Sequence, residues 1–413
     1  MEQRIIFHID ANSAFLSWEA AYRIQHGEKI DLREIPSVVG GDEKKRHGIV
    51  LAKSIPAKKY GIKTGESLYS ARNKCPSLTV VPARHGLYIK CSNAMVGLLK
   101  KYSPLIQRYS IDEVFLDYTY GNKNYMAAAN EMKERIKKEL GFTVNIGIGP
   151  NKLLAKMASD FKKPDMIHTL FYHEIEKKMW PLPVEDLFMV GYRTKSKLNS
   201  RGILTIGDLA RQDKKYLCSW LKKYGLLIWN YANGIEDSQV RNDSLPLKSI
   251  GNSTTTPFDV ETKKEAYLVL LSLSETVSMR IREVEKCARV VTISIRNNEF
   301  YSFSHQRKLN TPIDSTNCIY ETSKELFDEL WKGEPIRRFS IELSQLCSND
   351  FCQLSIFDLV YEKERKLDRT IDKIRNKYGC DSVVRSCFLY SGIKPLTGGV
   401  IMEEEYPTMS SLL

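Results

Sequence analysis

The sequence predicts an α+β protein of several domains, and three observations support this. Over the first 165 residues, apolar runs typical of strands alternate with helical periodicity. Residues 181–238 change to short helices with tight turns, whereas residues 250–346 mix helix and strand again. The 413 residues are enough for roughly two to four domains with buried cores.

In the first region, short apolar runs mark the strands. Residues 4–9 (RIIFHI) predict a buried strand that ends at Asp10. Residues 142–149 (FTVNIGIG) predict another strand, which breaks at Pro150 into a helix. Apolar residues at helical spacing predict helices over 86–102, 125–140 and 152–161.

The charge balance is strongly basic. The chain has 62 Lys or Arg against 50 Asp or Glu, a net charge of +12. Residues 193–248 carry 11 basic and 5 acidic side chains, and residues 279–310 carry 7 and 3, so more than half of the excess lies there. A polyanion such as nucleic acid is the favoured partner, although an enzyme can be basic for other reasons.

Cysteine and hydropathy patterns exclude other classes. The nine cysteines include no CxxC pair, and Cys347, Cys352, Cys380 and Cys387 fit no zinc spacing. No window approaches the roughly 18 apolar residues of a membrane span, and the N-terminal apolar run is too short for a signal peptide. We therefore expect a cytoplasmic chain with no membrane partner.

Two adjacent acids interrupt the strand-like segment YSIDEVFLDY, residues 109–118. Successive strand side chains point to opposite faces, and burying an unpaired carboxylate costs several kcal/mol. Asp112 and Glu113 therefore either lie in a solvated hairpin turn or hold a divalent metal ion. If the strand that ends at Asp10 is a neighbour, three carboxylates meet at one sheet edge, which suits two-metal phosphoryl transfer.

Three further side chains, Phe15, Lys152 and Lys156, each have an ordinary structural interpretation. Phe15, five residues after Asp10, is by pattern a core aromatic of the following helix. Lys152 and Lys156 share one face of a helix, which is either a solvated charged face or, at the helix start, a phosphate site.

Three segments together resemble the signatures of the bacterial Y-family translesion DNA polymerases, the DNA polymerase IV and V group. They are IDANSAF near the N-terminus, YSIDEVFLD, and GIGPNKLLAKMASDFKKP. Their order and spacing make the resemblance specific, and it extends over roughly residues 4–358.

The resemblance implies a right-hand polymerase with a ferredoxin-like palm, small fingers, a helix-hairpin-helix thumb and an α/β little finger. The implied domains are the palm (1–14 and 83–165), fingers (15–82), thumb (166–238), linker (239–249), little finger (250–349) and a C-terminal tail (350–413).

For catalysis, the resemblance implies that Asp10, Asp112 and Glu113 bind two Mg²⁺ ions, with help from the Ala11 carbonyl. Mn²⁺ would be a substitute. These ions would activate the primer 3′-hydroxyl and neutralise the leaving pyrophosphate.

For the nucleotide, the resemblance implies that Phe15 is a steric gate that excludes the ribose 2′-hydroxyl, so that dNTPs are selected. Lys152 would contact the triphosphate, while Lys156 stays undecided. Lys58 would reach the phosphates or the base. Ile55 departs from the family pattern, in which many members carry a tyrosine there.

For DNA, the segment VGYRTKSKLNSRGILTIGDL resembles a helix-hairpin-helix, whose turn amides bind a phosphate. The DNA-binding candidates are Gly191, Arg193 and Lys195. Only the first glycine of the usual G-x-G is present, and an ordinary helical corner is the alternative.

The tail contains QLSIFD, residues 353–358, which resembles the peptide that docks on the bacterial sliding clamp. Gln353, Leu354, Ile356 and Phe357 would be its contacts, although an ordinary apolar run is the alternative. Beyond it, apolar residues at helical spacing predict one helix, at Leu367, Ile371 and Ile374.

The predicted function is template-directed, low-fidelity lesion-bypass DNA synthesis. The partners would be primer–template DNA, dNTPs and the sliding clamp, and the protein would be a monomer that could act with accessory subunits. A nucleotide cyclase-like enzyme on a related palm is one alternative, and a non-catalytic, clamp-tethered DNA-binding protein is another.

Overall fold

The computed structural model describes residues 4–41, 46, 48–121, 124–242, 246–349 and 359–397. The chain divides into two compact bodies. The first contains residues 4–41 and 49–242, and the second contains residues 246–349 and 359–397 together with 46 and 48. Both bodies mix helices with sheets, which confirms the predicted α+β class.

Eight strands belong to the first body: β1 (Ile6–Ala11), β2 (Ser37–Gly40), β3 (Val50–Lys53), β4 (Thr79–Pro82), β5 (Ile106–Arg108), β6 (Glu113–Asp117), β7 (Val144–Gly149) and β8 (Ile167–Thr169). Its helices are α1 (Ala14–Gln25), α2 (Ile55–Lys59), α3 (Leu68–Lys74), α4 (His85–Leu99), α5 (Tyr125–Arg135), α6 (Lys152–Asp160), α7 (Ile175–Lys178), α8 (Tyr192–Asn199), α9 (Ile206–Ala210), α10 (Lys214–Leu221) and α11 (Lys223–Ala232). A π-helical turn, Ile136–Leu140, continues α5.

The main sheet of the first body has the strand order β5-β6-β1-β7-β8. The central strand β1 is antiparallel to both β6 and β7, whereas β8 is parallel to β7. Every residue of β1 and β7 is buried. Because both faces of these strands are covered, their sequences are nearly continuous apolar runs instead of alternating patterns.

Helices α1, α4 and α5 supply much of the core that covers this sheet, with Trp18, Tyr88 and Met132 fully buried in it. A smaller sheet, β3-β2-β4, packs with α2 and α3 around its own core. Helix α1 contacts α4 and the strands β2 and β3, and its buried residues share one core with the main sheet. The helices α6 to α11 share a third core.

The second body contains four long strands, β9 (Ser249–Val260), β10 (Lys286–Asn297), β11 (Ser302–Ile313) and β12 (Ile336–Ser348), and three helices, α12 (Lys263–Glu283), α13 (Thr316–Leu330) and α14 (Leu359–Tyr378). The strands form one antiparallel sheet in the order β11-β10-β12-β9. Helices α12 and α13 bury their apolar sides against this sheet.

The helix predicted in the tail is confirmed as α14, and charged side chains join it to the rest of the second body. Arg282, which is only 6% exposed, donates to Asp372 at 2.6 Å and to Asp368 at 3.2 Å. Arg365 donates at 2.7 Å to the fully buried Asp314. Such pairs need complete hydrogen bonding because their charges are out of water. No helix in the described ranges is long and apolar enough to cross a bilayer.

Candidate active site

Strand pairing brings the three predicted acids to one edge of the main sheet. Asp10 lies opposite Glu113 in the register of β1 with β6, and the Ala11 amide donates to the Asp112 carbonyl at 3.0 Å. The expectation that the two acid-bearing strands are neighbours is thus confirmed. We call Asp10, Asp112 and Glu113 the carboxylate edge.

A tight turn places two successive acids on the accessible side. The Ser110 hydroxyl accepts from the Glu113 amide at 3.1 Å and donates to Asp112 Oδ1 at 2.5 Å. Strand β6 begins only at Glu113. Asp112 precedes the strand, so its side chain need not point to the face opposite that of Glu113. Ile111 and Val114 are buried, whereas the two acids between them are partly accessible.

Asp10 is the most buried of the three acids, at 7% exposed. Burial raises the pKa of Asp10 to about 6, Lys163 opposes the rise, and the charges of Glu113 and Asp112 add to it. Lys163 donates directly to Asp10 Oδ2. Because the register sets Asp10 opposite Glu113 with Asp112 beside it, the charges of the other two acids act directly on Asp10.

Glu113 has a lysine partner of its own. Lys156 Nζ donates to Glu113 Oε1 at 2.5 Å. The same ammonium lies 5.0 Å from the centre of the Tyr109 ring and 5.7 Å from that of Phe188. Lys156 therefore lies between an acid and two aromatic faces, an arrangement that stabilises a cation out of water.

His8 lies behind Glu113 and is fully buried. Its Nδ1 is 2.8 Å from the Ser159 hydroxyl, and its Nε2 is 3.8 Å from Glu113 Oε1. Burial first, and then the charges of Lys156 and Lys163, hold the pKa of His8 well below its usual value, so the ring is neutral at pH 7.

The sequence analysis missed His8 and Lys163. His8 precedes Asp10 by two residues and so points to the same face of β1, a signal that was available. Lys163 follows α6 in an irregular stretch, where no periodicity predicts its direction.

The carboxylate edge fits a hard divalent cation by its chemistry. It offers oxygen donors alone, which are the ligands Mg²⁺ prefers, and its excess negative charge already attracts two ammonium groups. In the part of the chain that the structure describes, no three His, Cys, Asp or Glu side chains are already gathered as a metal cluster. A bound cation would thus have to displace the ammonium groups of Lys156 and Lys163 from Glu113 and Asp10.

Phe15 lies near the start of α1 and is partly buried. Its ring stacks on Tyr88 at 4.5 Å between centroids and meets His85 edge-on at 5.9 Å. One face is therefore fixed by packing while part of the ring stays accessible. This arrangement suits a rigid steric gate, and it also belongs to the hydrophobic core.

The three lysines of the α6 region have different surroundings. Lys152 is 1% exposed, and its Nζ donates to Gln107 at 3.2 Å. Burial lowers the pKa of Lys152, and the charges that act on it are those of Glu236, Arg241 and Arg4, not those of the carboxylate edge. Lys152 would have to leave Gln107 to reach a phosphate, whereas Lys156 and Lys163 are already at the edge.

The predicted fingers residues lie on α2, which begins after the Ser54 cap. The Ser54 hydroxyl accepts from the Ala57 amide at 3.1 Å. Ile55 is 52% exposed in the first turn, and Lys58 is exposed in the last turn. Both side chains are thus accessible to a ligand.

The predicted DNA contacts of the thumb cluster at the start of α8. Gly191 caps the helix and Arg193 is exposed, while Lys195 donates to Glu185 at 2.6 Å. The free amides of a helix start suit a phosphate oxygen. The proposed clamp residues Gln353, Leu354, Ile356 and Phe357 lie outside the described residues.

Two family descriptions match the chain. The impB/mucB/samB family matches residues 9–160, and the impB/mucB/samB family C-terminal domain matches residues 247–356. The first match includes the whole carboxylate edge, and the second ends before α14.

Relatives with known names match nearly the full length. DNA polymerase IV of Clostridium acetobutylicum is 48% identical over 94% of this chain and 98% of its own. DNA polymerase IV 2 of Bacillus subtilis is 38% identical, over 94% and 95% respectively. Among solved structures, a Y-family DNA polymerase chimera of Dbh and Dpo4 is similar, with a TM-score of 0.74 and 25% sequence identity. The match covers 84% of this chain and 100% of the chimera.

The relatives and the fold define a DNA-directed DNA polymerase, which confirms the predicted activity. Within that class, the chain belongs to the impB/mucB/samB family, the bacterial Y-family polymerases of lesion bypass. DNA and deoxynucleotides are accordingly its substrates.

Proposed function

We propose that the carboxylate edge is the catalytic centre of this polymerase and that it works by two-metal phosphoryl transfer. The observation that carries the proposal is the register of β1 with β6, which sets Asp10 opposite Glu113 with Asp112 beside them. Asp10, Asp112 and Glu113 would hold the ions, and the Ala11 carbonyl would assist. Mg²⁺ would be the natural ion and Mn²⁺ a substitute.

The bound ions would lower the pKa of the primer 3′-hydroxyl and neutralise the pyrophosphate. The protein's own part is to hold the reactants in line and to exclude competing charge. Ser110 orients Asp112 through its 2.5 Å hydrogen bond, and burial keeps Asp10 fixed. Lys163, which neutralises Asp10 before metal binds, would then be free to meet a phosphate.

The nucleotide roles follow from where the side chains lie. Phe15, held by Tyr88, would lie beneath the sugar and select dNTPs by shape. The exposed Lys58 would meet the phosphates or the base. Lys152 would bind the triphosphate. For this role its ammonium must give up the hydrogen bond that it donates to Gln107.

Outside the catalytic centre, Gly191, Arg193 and Lys195 would hold a DNA phosphate at the start of α8. The segment 353–358 would tether the polymerase to the bacterial sliding clamp. We propose a cytoplasmic monomer that could act with accessory subunits.

A primer-extension assay on the full chain tests the catalytic proposal. Asp112→Ala should abolish Mg²⁺-dependent extension. Asp117→Asn is the matched control, because Asp117 lies on the same strand but pairs with Ile6 at the far end. Duplex binding without extension by the unsubstituted protein would favour the DNA-binding alternative, and primer-independent turnover of free nucleotide would favour the cyclase. Full extension by Asp112→Ala would overturn the proposed site.

A further inference from the structure

The hairpin that joins β10 to β11 carries three exposed aromatic side chains. Phe300 is 62% exposed, Tyr301 is 64% exposed and Phe303 is 40% exposed. Aromatic rings contribute strongly to a core when they are buried, and large exposed apolar patches mark binding surfaces. The tip of this hairpin is therefore a candidate binding surface of the second body.

Phe300 has a backbone conformation that is unfavourable for its side chain. Its φ is +69°, in the left-handed region that favours glycine. The turn before it is fixed, because the Phe300 amide donates to the Asn297 carbonyl at 3.1 Å and the Asn297 side chain accepts from the Tyr301 amide at 2.8 Å. Glycine would suit this hairpin better, so the exposed ring indicates a role other than folding.

One face of the Phe300 ring lies against a cation. The Arg337 guanidinium is 4.8 Å from the centre of the ring. The next residue, Arg338, lies directly opposite Arg296 in the register of β10 with β12, and like charges in such positions destabilise a sheet. Among the residues that the structure describes, no acid forms an ion pair with these three arginines, which outnumber Glu299, the acid of the turn. An anion bound beside the ring would relieve the repulsion.

An exposed aromatic face with neighbouring cations suits a nucleotide. A base stacks on such a ring, and its phosphate is attracted to the guanidinium groups. DNA is a substrate of this polymerase, but a base inside a duplex has both faces covered by its neighbours. A free face belongs to an unpaired base.

We propose that Phe300 stacks on an unpaired base of the DNA substrate, while Arg296 and Arg338 attract the adjoining phosphate. This contact differs in kind from a phosphate site at the start of α8, because it requires the base itself. It does not involve the carboxylate edge, so it is independent of the catalytic proposal.

Equilibrium binding of primer–template DNA to the full chain, in EDTA, tests the proposal. Fluorescence anisotropy compares two substrates with the same duplex, one with natural unpaired nucleotides in its template overhang and one with abasic nucleotides there. Phe300→Gly should reduce the ratio of the two affinities about tenfold, because the stacking of a base is lost. Phe300→Trp keeps an aromatic face and should leave the ratio within about twofold of the original.

Glycine at residue 300 separates a loss of binding from a loss of folding. Because glycine suits the left-handed conformation, the melting temperature of Phe300→Gly should not fall. Tyr390→Gly is the matched control, since Tyr390 is a fully exposed aromatic residue of the second body with a φ of +63°. This variant should also keep its melting temperature, and its affinity ratio should be unchanged.

Three outcomes would overturn the inference: an unchanged affinity ratio in Phe300→Gly, an equal fall of the ratio in Tyr390→Gly, or a loss by Phe300→Gly that is as large on a blunt duplex. If Phe300→Gly instead lost binding to the purified sliding clamp with its DNA affinities unchanged, the hairpin would bind protein. Failure of the catalytic proposal looks different. In that case Asp112→Ala extends primers normally, while the affinity ratio, which needs no metal, still depends on Phe300.

Discussion

Gly147 of β7 lies directly against Ala155 of α6. A Cβ atom on Gly147 would come within 1.9 Å of the Ala155 carbonyl oxygen and 2.4 Å of the Ser159 amide nitrogen. This close approach fixes α6, which carries Lys156, against the strand beside Asp10. A glycine with no unusual φ is thus required here by space alone.

Gly147→Ala should destabilise the first body by at least about 3 kcal/mol, because backbone atoms cannot move aside as a side chain does. Gly97→Ala is the matched control. Gly97 is exposed within α4 with nothing within 4 Å of a new Cβ, so this change should stabilise by about 0.4–1 kcal/mol. Urea denaturation measures both. Equal stability of the two variants would contradict the conclusion that α6 lies too close to Gly147 to allow a side chain there.

The charged contacts of α14 make a second prediction. Arg282→Met leaves the buried Asp368 and the half-buried Asp372 without their arginine, which should cost about 3–5 kcal/mol. Lys324→Ala removes a surface pair with Glu321 and the contacts of the ammonium with the Tyr267 and Tyr320 rings, and it should change stability by about 1 kcal/mol or less. Thermal denaturation compares the two. A small effect of Arg282→Met would mean that α14 does not depend on this arginine.

Sugar selection makes a third prediction. Phe15→Ala should reduce the preference for dNTPs over rNTPs about 10- to 100-fold, since the shape that excludes the 2′-hydroxyl is lost. Phe142→Leu controls for lost aromatic packing, because Phe142 is buried against Trp18 in the same core. The ratio of kcat/KM values measures selection. An unchanged ratio in Phe15→Ala would leave Phe15 as a core residue alone.

DNA binding by the thumb makes a fourth prediction. Arg193→Ala should weaken binding to all duplex sequences alike and reduce the slope of log affinity against log salt by about 1. Lys100→Ala, at the exposed end of α4, should leave both quantities unchanged. Fluorescence anisotropy over a range of salt concentrations gives both values. A sequence-dependent loss would indicate base contacts instead of a phosphate contact.

Local sequence predicted much of the fold. The strand that ends at Asp10, the helix after Gly149 and the tail helix are all present, because apolar periodicity reports directly which side of an element is buried. Boundaries were less exact. The predicted helix 125–140 divides into α5 and a π-helical turn, and the predicted strand 109–118 starts only at Glu113, because the Ser110 side chain forms a turn before it.

The sequence by itself determined the chemistry of this protein: which residues are acids, which runs must be buried, and which family the motifs resemble. Only the tertiary structure decided which partner each acid takes. Lys163 pairs with Asp10, Lys156 pairs with Glu113, and the Nε2 atom of His8 is buried beside them without a hydrogen-bond partner. Such pairings arise between residues up to 153 positions apart. They depend on strand register and helix position, which no local pattern records, because a hydrogen bond is set by distance and direction in space.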